Sequence, residues 1–447
     1  MSKHNEKNNY RPVVINRDHA RPRNQPNPSD SQIEARLTEL VSPATYALVN
    51  YYHRLGLRER ILTLPVMVAM VLTMVWRQVP SVKELVRMLA HESLLWTPPL
   101  EVSQQAVDLR LRCLPTELFG QVWEEILPKL LERTAGRKRP HSPVVTRALK
   151  HFERIWIVDA STLEELFGKV GLLREAAQAL LAGKILALLD LPSKLPIKVW
   201  LDEDPEVNEK SFLDQVKPLL KAGTLLLFDR GFYSFPFFDW LTDNGLWFVT
   251  RARDLTAFRI TGWLHNSANV RDCIIELGQY RSNPCLHPVR LVEMRIGGKW
   301  HRYLTNVLDP KVLSALEVAQ LYGHRWRIEE AFLLVKRLLG LAYLWSGAFN
   351  GISLQVWATW LLYGVLVDLS DAVAEALKVP LEQISLEMVY RGLYHFTVAH
   401  QQGQASDPVA YLAAPEQADL DIVKRRRKYR ERARRERLDK VLQELNL

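Results

Sequence analysis

The stretch "YGHRWRIEEAFLLVK", residues 322–336, decides how this chain is read. Tyr322, Arg325, Glu329 and Lys336 fall within a wedge of roughly 60° if the stretch is one helix at 100° per residue. An aromatic hydroxyl, a guanidinium, a carboxylate and an ammonium then share one face, while Ile328, Phe332 and Val335 point into a core. Taken alone, the pattern reads equally as an exposed stripe of ion-paired residues at helical spacing. What separates the two readings lies upstream.

Two short apolar runs end in aspartate. Asp159 closes Ile155 to Val158 and is followed by Ala-Ser-Thr; Asp229 closes Leu225 to Phe228 and is followed by Arg-Gly-Phe-Tyr. A carboxylate at the C-terminal end of a buried strand sits where α/β sheets place their ligands. Buried without a partner it is costly, so it calls for a cation. An aspartate at a strand end is also a common turn starter, so neither residue decides alone. The runs at 155–162, 183–191, 196–204, 224–231 and 246–253, with helical stretches near 209–222 and 235–244, predict a mixed α/β sheet with right-handed crossovers. Residues 254–308 alternate without helical period and predict a β-rich insertion. Helical pattern resumes at Ser314 and again near 353–370 and 381–396, with a loop over 401–420.

Upstream, residues 31–137 have helical pattern, with Ala35, Leu37, Leu40 and Val41 on one face and a buried helix over 57–76. Ser81 with Glu84 predicts a capping box. A short helix after Pro98-Pro99 carries Gln105, Arg110 and Arg112, residue types that can enter a major groove; an ordinary helical bundle with solvated basic residues fits as well. Residues 136–145 form a basic, Pro-containing linker.

Charge is concentrated at the ends. The net charge of the 447-residue chain is +9, of which residues 1–30 carry +3 and residues 424–447 carry +7. The body between them is nearly neutral, as in a machine with arms for a polyanion. Residues 1–30 read as a flexible basic arm. From about 421 the chain reads as a basic helix, ten of the fourteen residues from Lys424 to Arg437 being Lys or Arg, Arg425, Arg426 and Arg427 among them. Such a helix can track phosphates with strong salt dependence. Three cysteines exclude a disulfide framework and a four-thiolate zinc site, and suit a reducing, cytoplasmic compartment. The apolar run from Ile61 to Trp76 is too short to span a bilayer, so no membrane association is expected, and the polar first thirty residues show no signal peptide.

The combination of "IVDAST", "LLLFDRGFYS" and Tyr-x2-Arg-x3-Glu-x6-Lys resembles the bacterial insertion-sequence transposases of the IS-four group, with Trp326 and Ile328 and the run-in "LTNVLD" (304–309) adding to the match. The likeness is strong over about 155–345 and weak outside. It implies an RNase-H-like catalytic domain (about 150–345, insertion about 254–308), a helical DNA-binding domain before it (31–137) and a helical C-terminal region after it (346–420). Carried onto this sequence, it implies Asp159, Asp229 and Glu329 as the catalytic, metal-binding triad. Tyr322, Arg325 and Lys336 would hold the DNA backbone beside the cut. It also associates the β-rich insertion with a hairpin route in which a flipped base stacks on an aromatic, for which Trp263 and Trp300 are candidates, although a place in the core is the more usual reading of each.

The chemistry agrees with those residue types. Phosphodiester cleavage needs charge stabilised on the entering and leaving oxygens, which two divalent cations roughly 3.5–4 Å apart can supply. Three carboxylates suit magnesium, with manganese possible. The acidic run 201–209, with Asp202 and Asp204, reads as a solvated loop. The expectation is a transposase that nicks terminal inverted repeats of double-stranded DNA and joins the freed 3′-hydroxyl to target DNA, acting as a homodimer on DNA. The competing readings are a nuclease without strand transfer and a domesticated DNA-binding protein that has lost catalysis.

Overall fold

The computed structural model describes residues 26–57, 60–162, 183–254, 256–341 and 348–424. Most of the expected N-terminal arm and of the basic tail, Arg425, Arg426 and Arg427 included, lies outside these residues.

Nine strands form one sheet: β1 (Arg154–Thr162), β2 (Lys184–Asp190), β3 (Pro196–Asp202), β4 (Thr224–Phe228), β5 (Trp247–Arg251), β6 (Phe258–Asn266), β7 (Val270–Leu277), β8 (Val289–Ile296) and β9 (Lys299–Thr305). Their spatial order is β3-β2-β1-β4-β5-β9-β8-β7-β6. β2 runs antiparallel to both β1 and β3, while β1, β4 and β5 are parallel. The β-rich insertion is β6 to β9, and it continues the main sheet because β9 pairs antiparallel with β5.

Strand alternation divides the sheet's side chains between two cores. Ile155 and Ile157 of β1, Ile185 and Ala187 of β2, and Leu225 and Leu227 of β4 face a large helical core. Trp156, Val158, Leu186, Leu188, Leu226 and Phe228 face the other. That second face is covered by α8 (Phe235–Asp243), whose Phe238 stacks on Phe248 with ring centroids 4.6 Å apart.

The N-terminal helices are α1 (Ser31–Ala47), α2 (Val49–Arg54), α3 (Leu64–Trp76), α4 (Val82–His91), α5 (Gln104–Cys113), α6 (Glu117–Gly136) and α7 (Pro143–Ala148). Leu37, Leu40 and Val41 of α1 are buried as expected, but Ala35 is exposed. The helix expected over 57–76 begins only at Leu64, because Pro65 fits the first turn of a helix and not its middle. The capping box at α4 is half formed: Ser81 accepts from the Glu84 N–H, while the Glu84 side chain pairs with Arg87.

After the sheet come α9 (Ala315–His324), α10 (Trp326–Leu341), α11 (Phe349–Ala376), α12 (Leu386–Gln401) and α13 (Pro408–Ala413). The 401–420 segment expected as loop therefore contains a helix, started by Asp407, whose carboxylate accepts from the Ala410 N–H, with Pro408 in the first turn. Helix α11 is apolar and long enough to cross a membrane, yet its apolar window is wholly buried inside the protein. It packs on α3, α5, α6, α10 and α13 and is the axis of the helical core. Its approach to α6 is so close that a Cβ at Gly364 would stand 2.6 Å from the Trp123 ring.

One buried side chain ties the insertion to the helices. Arg290 of β8, fully buried, donates through Nε and Nη2 to Asp272 of β7 at 2.8 and 2.6 Å, and through Nη1 to the Leu313 carbonyl at 2.6 Å. Leu313 immediately precedes α9. Arg290→Ala should destabilise the protein by about 3–5 kcal/mol, since it strands a buried carboxylate. Denaturant unfolding measures this, and a loss below about 1 kcal/mol would mean that the bidentate pair contributes no more than a surface one.

Candidate active site

Pairing between β1 and β4 runs to Val158 opposite Phe228, so Asp159 and Asp229 are the next residues in register on adjacent parallel strands. The strand does not end at Asp159 as the sequence suggests. β1 continues to Thr162 against β2, and only its pairing with β4 stops there. By strand parity, Asp159 faces the helical core with Ile155 and Ile157, and α10 packs across β1 on that side.

The signature stretch is two helices with a tightened turn between them. Arg325 keeps helical dihedrals (φ −51°, ψ −34°), but its N–H donates to the Tyr322 carbonyl and its own carbonyl accepts from the Ile328 N–H, both three residues apart. The guanidinium, only 7% exposed, lies between two of the acids. Nη1 donates to Asp159 Oδ2, and Nη2 donates to Glu329 Oε1 at 2.7 Å. Its Nε has no partner. Lys336, further along α10, donates to Ser161 Oγ at 2.7 Å near the end of β1. Tyr322 is buried against Tyr303 of β9, ring centroids 5.3 Å apart, with the Arg325 guanidinium 5.8 Å from its ring. Trp326, which the sequence analysis left without a role, is exposed beside Arg325, 5.3 Å away.

Burial pushes the Asp159 carboxyl up to about 7; Arg325 opposes that rise, while the charges of Asp229 and Glu329 add to it. The Asp229 Oδ1 accepts from the Gly231 N–H at 2.6 Å and starts the short turn Arg230–Phe232.

A further acidic group, unassigned by sequence, sits here. Glu209 begins a short turn packed on Arg230–Phe232. Its pKa is raised by burial and by Asp229, against the pull of Lys184 and Arg325. Lys184, at the start of β2, donates to the Val207 carbonyl and holds this segment down. Asp202 and Asp204 cap their own loop turns and take no part.

Other candidates are elsewhere. Trp263 is on edge strand β6, three strands out from β9, roughly 14 Å at the usual strand spacing. It and Trp300 face the side of the sheet opposite Tyr303. Trp263 is 51% exposed, not core, and lines a groove of about 400 Å³ with Phe258, Arg271 and Arg302. Trp300 is covered by the Arg271 guanidinium at 4.7 Å. On α5, Arg112 is exposed, whereas Arg110 donates to the Leu62 carbonyl and lies over the Tyr52 ring. Lys424 is ion-paired with Glu330 at 2.9 Å.

Asp159 of β1, Asp229 just after β4 and Glu329 of α10 thus bring carboxylates to one end of the mixed sheet, close enough that the charges of Asp229 and Glu329 act on Asp159. Residues 151–364 match the family model described as the transposase DDE domain. Among solved structures it is similar to the piggyBac transposase in its synaptic complex with hairpin DNA, at 13% identity and a TM-score of 0.39, over 92% of this chain and 87% of that one. No curated protein matches.

Members of this family use divalent metal ions. The donor chemistry here fits them: hard carboxylate oxygens, one of them, Glu209 Oε2, buried and unpartnered. Among the described residues no three acidic side chains stand together in ligating geometry. Arg325 takes the place of a cation between Asp159 and Glu329.

The titration of Asp159 gives a test. An exposed aspartate titrates near 4, so in metal-free protein ionising the native carboxyl carries a cost that is absent below about pH 4 and grows as the pH rises through 7. The stability of Asp159→Asn relative to the parent should therefore increase between pH 4 and pH 8, on the order of a few kcal/mol. Denaturant melts in chelator across that range measure it; a difference that does not vary with pH would remove Asp159 as the titrating group.

Proposed function

We propose that this transposase cuts double-stranded DNA at terminal inverted repeats and joins the freed 3′-hydroxyl to target DNA, with Asp159, Asp229 and Glu329 as its catalytic carboxylates. The observation that carries the reading is Arg325, placed between Asp159 and Glu329 with a spare donor beside an exposed Trp326.

Asp159, Asp229 and Glu329 would hold magnesium, or manganese, which would supply Lewis-acid stabilisation of the phosphate oxygens. The chain's own residues do the rest. Asp159 and Asp229, held in register by β1 and β4, fix the position of the acidic centre. Glu329, on the first turn of α10, can shift with the helix. The Arg325 guanidinium has the planar fork that matches a phosphate, and released from its carboxylates it clamps the backbone next to the cut. Lys336 adds a point charge one helical face along, and Tyr322, packed on Tyr303, backs the guanidinium. Arg112 and the basic tail extend the contact to flanking phosphates, which makes binding steeply salt-dependent. Trp263, exposed on the insertion, offers a stacking surface for an unpaired base. Cutting two ends together calls for a homodimer on DNA, and the cysteine usage suits a cytoplasmic protein.

The deciding experiment is a strand-transfer assay with labelled terminal-repeat DNA and magnesium. The parent should nick and join. Asp159→Ala, Asp229→Ala and Glu329→Ala should each lower cleavage at least about a thousandfold, comparable with losing a principal electrostatic group. Full cleavage by Asp159→Ala removes the assignment, and cleavage without joining by the parent would favour the simple nuclease. On the same gel a hairpin-sized species should appear, and its absence argues against base flipping onto Trp263.

A further inference from the structure

Glu209 is the group whose placement the triad does not explain. It belongs to the acidic run after β3, yet unlike Asp204 and Glu206 it turns inward. Its Oε2 is buried and without a hydrogen-bond partner, an arrangement that is costly, above all for a charge, unless something binds there. The backbone opposite it is cut away to admit it. A Cβ at Gly231 would stand 1.5 Å from Glu209 Oε2 and 2.9 Å from Asp229 Oδ1. Both carboxylate oxygens thus border the one point that a side chain at Gly231 would fill, and Asp229 Oδ1 is anchored there by the Gly231 N–H. Lys184 fixes the Glu209 segment through the Val207 carbonyl, leaving Glu209 Oε2 without a hydrogen-bond partner.

Two carboxylates facing one another in a partly buried space repel unless a cation lies between them. On the Asp159 side Arg325 meets that need. On the Asp229 side Lys184 and Arg325 pull on Glu209 from a distance, but among the described residues none hydrogen-bonds its Oε2. We propose that Glu209 is a fourth carboxylate of the metal centre, sharing with Asp229 the divalent cation on that side, and that Gly231 is required because only a residue without a side chain lets the two meet. This rests on the metal-site reading given above for Asp159, Asp229 and Glu329.

The test is direct binding of Mn2+ to the full-length protein, followed by the electron paramagnetic resonance of free ion, with thermal melting of the metal-free protein alongside. Glu209→Gln keeps the shape and removes the charge. It should weaken at least one Mn2+ by about tenfold or more, within the range seen when a group supporting a metal ligand is lost, while the metal-free melt stays in place. Gly231→Ala, which meets the movable end of Glu209, should weaken the same ion. Asp229→Asn and Asp159→Asn are the controls. If they lose Mn2+ while Glu209→Gln and Gly231→Ala bind like the parent, Glu209 is not a ligand and the three-carboxylate reading stands. If neither control changes the isotherm, the metal-site reading falls and this proposal with it. Should Glu209→Gln melt early without metal, the Gly231→Ala isotherm decides the matter alone.

Discussion

A guanidinium shared by two carboxylates holds the centre of this protein together. Asp159 is buried at the level where β1 leaves β4, and a bare carboxylate there would be expelled or protonated. Arg325 reaches it from the turn between α9 and α10 and holds Glu329 with its other arm. The ion pair therefore fixes the signature helices against the sheet and keeps two acids close that would otherwise repel. It is also replaceable. A guanidinium fork suits phosphate as well as carboxylate, and divalent cations compete for the same oxygens with twice the charge.

The fold supplies this geometry with few devices. Strand parity aims Asp159 at the helical side, and the parallel register puts Asp229 beside it without either being chosen separately. Helix α11, buried along its length, gives α10 a firm backing, with Phe332 of α10 edge-on to Trp360 of α11. Ser314 and Glu317 form a complete capping box at the start of α9. Arg290, through its bond to the Leu313 carbonyl one residue upstream of that box, links the insertion to the same helix. Displacement of the insertion is thereby felt where Tyr322 and Arg325 sit.

Much of the centre was legible because its signals are local. An aspartate at the end of an apolar run and four polar residues at helical spacing can be read without knowing the fold, and Asp159, Arg325 and Glu329 do come together. The helical wedge was only nearly right: the turn at Arg325 tightens to three-residue bonds, which no periodicity reports. Glu209 was hidden because its role depends on a contact with Gly231, twenty-two residues away and across a turn, whereas its neighbours Asp202 and Asp204 are ordinary loop acids. The exposure of Trp263 was hidden for a similar reason: an alternating strand reads the same whether its partner face is covered or at the sheet's edge. The helix at 408–413 lay in a run of Asp, Pro and Ala read as loop, although Asp407 and Pro408 are a helix start.

An acidic centre is an awkward place to bring DNA. Asp159, Asp229, Glu329 and Glu209 would together repel a phosphate, and among the described residues Arg325, Lys336 and Lys184 offset them. Arg325 cannot fully serve both tasks, because while it neutralises Asp159 and Glu329 one N–H of each terminal nitrogen is committed to a carboxylate. The arithmetic of charge resolves the conflict in one direction. A divalent cation held by the carboxylates would release the guanidinium and would supply positive charge for a phosphate. On the proposed reading metal and DNA would not be independent ligands of this site, and the side chain that would couple them is Arg325.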